Sequence, residues 1–230
     1  MNGESPRERV LVAWSSGKDS AWSLHLLRQQ PEIEVVGLLT TLDESRERVA
    51  MHAVRRELLL AQAAAAGLPL EIVRIPNPCP NEAYEQRMGA AMARAKAAGV
   101  ASVAFGDLYL EDVRRYRERQ MRNSGLSLRF PLWGRPTRAL AEEMIDGGLR
   151  ATLTAVDPRR LDARFAGRAF DRALLAELPA EVDACGENGE FHSFAWAGPM
   201  FARPIRVRPG AVVTRDGFVY ADLLPEGDAA

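Results

Sequence analysis

Apolar residues in the first half of the chain come in short unbroken runs rather than in alternation. The runs are Val10 to Trp14, Val35 to Thr41 and Ser102 to Phe105, with Glu71 to Ile75 a further strand-length stretch interrupted by Arg74. Runs of this length without polar interruption predict strands covered on both faces. Between them, apolar residues recur at helical spacing. The expected helices cover Ala21 to Gln30, a stretch from about Val49 to Ala66 stopped by Gly67, Asn81 to Ala98 stopped by Gly99, and the charged segment Glu111 to Asn123. Strand–helix alternation of this kind predicts an α/β fold, a parallel sheet with helices on both faces. Its strand-to-helix loops, at 15–20, 42–48, 76–80 and 106–110, are then expected along one rim.

The texture changes after Gly125. Leu128 to Trp133 reads as a strand or extended link broken by Pro131, Arg138 to Asp146 as a helix and Arg150 to Val156 as a strand. Residues 157 to 178 read as loop and helix, and the rest as β hairpin. Its strands are expected at Ile205 to Arg208, Ala211 to Thr214 and Val219 to Asp222, with Asp216-Gly217 a tight-turn signal. The expected organisation is an α/β domain over 1–128 and a smaller mixed α/β C-terminal domain over 129–230.

Composition narrows the function. The 230 residues are 47% hydrophobic, with 30 Lys and Arg against 31 Asp and Glu, a formal net charge of −1. That balance provides no global field for nucleic acid or anionic lipid. No apolar run reaches the ~18 residues of a membrane span, and the polar start from Met1 to Arg9 is unlike a signal segment. Cys79 and Cys185 are too few and too far apart for a disulfide framework, so a reducing, cytoplasmic setting is expected. Only Lys18 and Lys96 are lysine. In a chain that uses arginine nearly everywhere else, Lys18 stands out.

Lys18 lies in Ser15-Ser16-Gly17-Lys18-Asp19-Ser20, directly after the first strand and opening the first helix. The unpaired amides and dipole of a helix start favour an anion. Gly17 allows close backbone approach, the three serines add hydroxyls, and Lys18 adds a point charge. Asp19 would repel a phosphate unless a cation lay between them, and Mg²⁺ is the simplest candidate. The spacing is not that of a Walker A loop. An ordinary helix capped by Ser15 or Ser16 is the plainer alternative.

Two further constellations carry chemistry. At the end of the fourth strand, Gly106 and Asp107 fall on the expected rim, with Asp107 placed for a ribose hydroxyl, a metal or an amine. Glu111 and Asp112 read as helix caps, and Arg114, Arg115, Arg117 and Arg119 as a solvated face or an anion clamp. Asp183 through Ser193 gathers three carboxylates besides a thiol and an imidazole around Gly186 and Gly189, so Glu187 and Glu190 can converge on one ligand. A polar surface loop is the simpler reading, and a zinc site on Cys185 and His192 lacks further ligands.

The loop at 15–20 resembles the PP-loop of the N-type ATP pyrophosphatases, with Ser16 where that pattern has glycine. Met51 to Arg55, Phe105 to Arg114, Phe130 to Trp133 and Val182 to Ser193, followed by Gly198-Pro199 and Phe201, extend the resemblance to the diphthine–ammonia ligase family over nearly the whole chain. Ala184 stands where relatives often have proline. The resemblance implies a Rossmann-like (HUP-type) sheet and an AMP- and pyrophosphate-forming C–N ligase using ATP and Mg²⁺. It implies that Ser15, Ser16, Gly17, Lys18, Asp19 and Ser20 hold the phosphates, that Asp19 places the metal, and that His52, Gly106 and Asp107 line the nucleotide site. Lys18, Asp19, Glu187, Glu190 and His192 would then act on a carboxylate acceptor, small or protein-borne, and on ammonia or another amine. The arginine- and alanine-rich composition reads as that of a GC-rich, bacterial genome, in which an acid other than diphthine on elongation factor 2 is expected. A homo-oligomer is compatible with the sequence.

Two rivals remain open. One is a tRNA-modifying PP-loop enzyme of the thiolation or lysidine type, with Cys79 on the rim as the sulfur carrier and the near-zero charge against it. The other is a nucleotide-binding sensor without catalysis, which would have no need of the Glu187 and Glu190 cluster.

Overall fold

The computed structural model describes residues 6–226; Met1 to Ser5, part of the polar start, lie outside the described residues. Five parallel strands form the first sheet: β1 (Glu8–Ala13), β2 (Ile33–Asp43), β4 (Leu70–Ile75), β5 (Ser102–Ala104) and β6 (Ser127–Arg129). They lie in the order β4-β2-β1-β5-β6. Helices α1 (Lys18–Arg28), α2 (Arg56–Ala66), α3 (Asn81–Ala97) and α4 (Glu111–Met121) connect them. This is the parallel α/β arrangement that the apolar runs predict and the Rossmann-like sheet that the resemblance implies. In β1, Val10 and Val12 enter one buried cluster with residues of α1 and α2. Leu11, pointing the other way, enters a second with Ala91, Met92 and Met121 of α3 and α4. Both faces are covered, so no position in the strand needs to be polar.

The chain from β1 passes through α1 to β2 on one side, while β5 leads through α4 to β6 on the other. The carboxyl ends of these two adjacent strands, β1 and β5, are therefore a topological switch point of the sheet. β2 also outruns β1. Its last residues, Leu42 and Asp43, pair antiparallel with β3 (Arg48–Val49), in the space beyond the end of β1. The following loop therefore comes down over residues 15–20. The helix expected from about Val49 starts only at Arg56, because Met51 and Ala53 adopt left-handed backbone angles (φ 63° and 55°) that a helix does not tolerate.

The second sheet is antiparallel, in the order β8-β7-β10-β9: β7 (Arg150–Val156), β8 (Phe191–Ala197), β9 (Val207–Arg215) and β10 (Phe218–Pro225). Helix α5 (Thr137–Asp146), a short 3-10 turn (Ala163–Phe165) and α6 (Arg172–Glu177) accompany it. Asp216 and Gly217, both at positive φ (52° and 80°), make the expected tight turn. The two strands expected at 205–208 and 211–214 are one, Val207–Arg215, since Pro209 on this edge costs no ladder bond inside the sheet. No strand is expected from the pattern at Phe191–Ala197, yet these residues form one, with Phe191, Phe194 and Ala195 buried. These side chains join the cluster that contains Val10, Val12 and Trp14, so the second sheet packs on the α1–α2 side of the first.

A charged clamp ties the sheets together near the site. Asp222 of β10 accepts from Arg48 (2.8 Å) and Arg55 (2.6 Å), which bracket the loop at 50–53, and Arg48 also donates to the Ala53 carbonyl (2.7 Å). Burial works against the Asp222 carboxylate, but the two guanidinium groups hold it below its ordinary range. Removing it with Asp222→Ala leaves two cations without their partner and is expected to cost about 2 kcal/mol, the scale of hydrogen bonds to charged groups. The midpoint of urea unfolding measures this loss.

Candidate active site

The loop after β1 is held in a demanding shape. Ser16 is fully buried with φ 70°, a conformation that favours glycine, so the serine in this position of the pattern carries backbone strain. Its carbonyl accepts from the Ala195 amide of β8 (2.9 Å) and from Gln62 Nε2 (3.0 Å). Gly17, the N-cap of α1, has no side chain to cap it, which leaves the helix start receptive to an anion. A Cβ on Gly17 would come within 2.9 Å of His52 Cε1, so only glycine lets the imidazole sit this close. Ser15 Oγ accepts from the Gly17 amide (3.3 Å) and lies 3.2 Å from Ser20 Oγ, which donates to the Gly17 carbonyl (3.0 Å).

Lys18 turns inward. Its amide donates to Ser193 Oγ (3.2 Å), and its ammonium donates to Asp19 Oδ2 (2.8 Å) and to the Cys185 carbonyl. It is 2% exposed, with the ring centres of Phe191 and Phe170 at 5.4 and 5.6 Å. Burial pushes its pKa down, but Asp19, Cys185 and Glu187 outweigh that and keep it charged. Asp19 Oδ1, by contrast, is buried without a partner. Among the described residues no three His, Cys, Asp or Glu gather around a point as a metal cage. Mg²⁺ needs no such cage, since it is commonly held by one or two carboxylates together with substrate phosphates. The unpartnered Asp19 oxygen beside an open helix start fits that donor set.

Gly106 is pressed against this loop. A Cβ there would lie 3.1 Å from Asp19 C and from Ser20 N, so its missing side chain sets the spacing between β5 and α1. Asp107 lies 3.4 Å from Arg117 Nε, and the next amide, Leu108 N–H, donates to Glu187 Oε1 (2.8 Å). Glu187 therefore reaches across from the second half of the chain. Burial, with the nearby carboxylates of Asp19 and Asp107, pushes its pKa up to about 7 against the opposing pull of Leu108 N–H and Lys18.

Asp183 shapes the turn that delivers Glu187. Its Oδ1 accepts from the amides of Cys185 (2.9 Å) and Glu187 (3.1 Å), and its Oδ2 from Thr137 Oγ1 (2.5 Å). Gly186, at φ 72°, closes the turn where a Cβ would meet the Phe191 carbonyl at 2.8 Å. Glu190 is 3% exposed; Oε1 accepts from the Asp183 amide (3.1 Å) and Asn188 Nδ2 (3.0 Å), while Oε2 is buried and unpartnered. The His192 ring lies against His52, tilted by 38° with centres 4.6 Å apart, and His52 Nδ1 lies 3.2 Å from the Ser193 carbonyl. Burial, with Lys18 nearby, lowers His52 to about 4. Burial, His52 and Lys18 lower His192 to about 3, so both rings are neutral at pH 7. Cys185 is buried against the Thr137 carbonyl and burial raises its thiol pKa, which makes it unreactive.

Contacts join these residues within and across the two halves of the chain. His52 packs on Gly17 and His192, Lys18 bonds the Cys185 carbonyl, and Gly106 presses on Asp19 and Ser20. Glu187 reaches the amide after Asp107, and Glu190 holds the Asp183 amide. Two cavities adjoin these segments. One of ≈ 210 Å³ lies at the ends of β2 and β4, lined in part by Asp43, Val49, Met51, Ile75 and Cys79. The other, of ≈ 490 Å³, adjoins Tyr109, Thr137, Asp183 and Asn188. Gln62 lies outside every segment singled out for its chemistry from the sequence, while Ser193 and Leu108 lie inside such segments without a role of their own. The signal that could have found Gln62 is its place as the lone polar residue between Leu58 and Ala66.

A parallel sheet with a serine-rich loop leading into its first helix at the switch point defines a Rossmann-like α/β protein. The diphthamide synthase N-terminal domain matches residues 8–128, and the diphthamide synthase C-terminal domain matches residues 136–219. The chain belongs to the diphthamide synthase family. It is 25% identical over 237 aligned positions to a human diphthine–ammonia ligase, covering 94% of this chain and 88% of that protein. It is 32% identical over 97 residues to a bovine diphthine–ammonia ligase, a stretch of 40% of this chain and 36% of that protein.

The paired imidazoles make a pH prediction. Each titrates near 6.5 when unfolded and at about 4 or 3 when folded. Their contribution to stability is present above pH 6.5 and is lost as pH falls toward 4 and then 3. Glu187, raised to about 7, acts in the opposite sense, its contribution being lost as pH rises through that value. Melting temperatures followed from pH 7.5 to 4 should drop more steeply in the native protein than in the His52→Gln/His192→Gln double variant.

Proposed function

We propose that the protein is an ATP-dependent ligase that converts a carboxylate to an amide. In the first step a carboxylate oxygen of the acceptor attacks the α-phosphorus of ATP, forming an acyl-adenylate and expelling pyrophosphate. In the second, ammonia attacks the acyl carbon, and AMP leaves with the electron pair of the broken C–O bond. The observation that carries this reading is the direct contact between the two halves: Glu187 on the Leu108 amide and Lys18 between Asp19 and the Cys185 carbonyl. It sets an anion-receptive loop against a carboxylate poised near neutrality. The diphthine–ammonia ligase names of the human and bovine relatives support the same chemistry.

Roles follow from position. Ser15, Gly17, Ser20 and the open start of α1 receive the β- and γ-phosphates, with the Ser16 peptide holding the loop open. Asp19 holds Mg²⁺, which when bound supplies positive charge to the leaving pyrophosphate. Lys18 adds a fixed cation between the loop and the acceptor segment. The ≈ 210 Å³ cavity receives the base, Asp107 orients the ribose, and His52 packs as a neutral ring against the phosphate loop. Glu187, titrating near 7, binds ammonium and takes one of its protons, releasing ammonia as the nucleophile. Glu190 and His192 line the acceptor side, Glu190 through its free oxygen. The acceptor, small or protein-borne, enters by the ≈ 490 Å³ cavity.

The test is pyrophosphate release from ATP with Mg²⁺, ammonium and a panel of carboxylates, diphthine-bearing peptide included. Turnover that requires both acid and ammonium supports the proposal; ATP binding without turnover across the panel points to a sensor, and salt-sensitive tRNA binding to an RNA-modifying enzyme. Glu187→Gln is expected to lower kcat by about 10²–10⁴-fold, the usual range for a lost general base, with little change in KM for ATP. The native kcat should rise with pH through a midpoint near 7, because the ionised carboxylate is the active form. Lys18→Ala should instead weaken the use of ATP.

A further inference from the structure

We infer that Gln62 of α2 is a positioning residue that sets the phosphate loop by locking the peptide between Ser16 and Gly17. The inference rests on the proposed reading of residues 15–20 as the phosphate grip. Gln62 is fully buried, on a helix whose other buried residues are Leu and Ala. Its amide uses all its principal groups: Nε2 donates to the Ser16 carbonyl (3.0 Å) and the Ala195 carbonyl (2.7 Å), and Oε1 accepts from Trp14 Nε1 (2.9 Å). The indole N–H can only donate, so it fixes which end of the amide is oxygen and turns the NH₂ group toward the two carbonyls.

The consequence lies in the next peptide. In a trans peptide the carbonyl and the following N–H point in opposite directions. Drawing the Ser16 carbonyl inward to Gln62 and the Ala195 amide therefore aims the Gly17 N–H outward, into the loop, where it meets Ser15 Oγ. Ser16 holds this orientation at φ 70°, which a serine adopts only under constraint. Gln62 supplies part of that constraint. Glycine at position 16 would need less of it.

Binding constants for Mg-ATP, inorganic pyrophosphate and adenosine separate this role from simple core packing. Gln62→Met keeps the volume and removes every hydrogen bond. It is expected to weaken ATP and pyrophosphate by about tenfold, the scale of a buried polar group left unpaired, while adenosine changes by less than about twofold. Adding Ser16→Gly to that variant should recover most of the loss, since glycine reaches the required φ without help. Equal weakening of all three ligands, or no recovery on adding Ser16→Gly, overturns the inference. If the native protein binds neither ATP nor pyrophosphate, the phosphate-grip reading itself fails and takes the inference with it. Should Gln62→Met not fold, Trp14→Phe, which removes the donor orienting the amide, carries the same comparison and is expected to show the same selective loss.

Discussion

The ammonium of Lys18 sits in the interior with an aspartate on one side and a backbone carbonyl on the other, and the rest of the site is arranged around that charge. A cation taken out of water must be paired and hydrogen-bonded or it destabilises the fold by several kcal/mol. One partner, Asp19, is its neighbour in sequence; the other, the Cys185 carbonyl, is 167 positions away. Satisfying one charge therefore requires the loop after the first strand and the turn before the eighth to meet. The Ser193 hydroxyl on the Lys18 amide and the Ala195 amide on the Ser16 carbonyl repeat the same join with neutral bonds.

That join explains why carboxylates crowd a place that is otherwise core. Asp19 and Glu187 are the carboxylates that keep the Lys18 cation charged, and burial raises the pKa of both. Glu187 holds its proton to about neutral pH, while Asp19 and Glu190 each keep one buried oxygen without a partner. Groups that are poorly satisfied in the free protein are the ones available to a ligand. The neutral His52 and His192 pair adds bulk and shape without adding to the positive charge.

Much of this was legible in advance, and for particular reasons. The unbroken runs at Val10–Trp14 and Ser102–Phe105 revealed strands covered twice, because a strand facing water on one side would have alternated. Helix ends at Gly67 and Gly99 were readable because both take positive φ where the helix stops. Phe191–Ala197 was harder. It follows a turn dense with carboxylates and glycines, so its chemistry masked its strand, while Phe191, Phe194 and Ala195 were already apolar core. The start of α2 was misjudged because the left-handed angles at Met51 and Ala53 occur at residues that do not advertise them.

The order of elements, the covered parallel sheet and the residue types at the rim were properties of the chain alone, since they depend on local periodicity and on side chains that favour or refuse particular backbone angles. Which way those side chains face was not. Lys18 turning inward, Gln62 gripping Ser16, and Glu187 reaching the Leu108 amide each join residues tens to well over a hundred positions apart. Burial and hydrogen bonding across such distances depend on how two sheets pack, a quantity that no local pattern encodes.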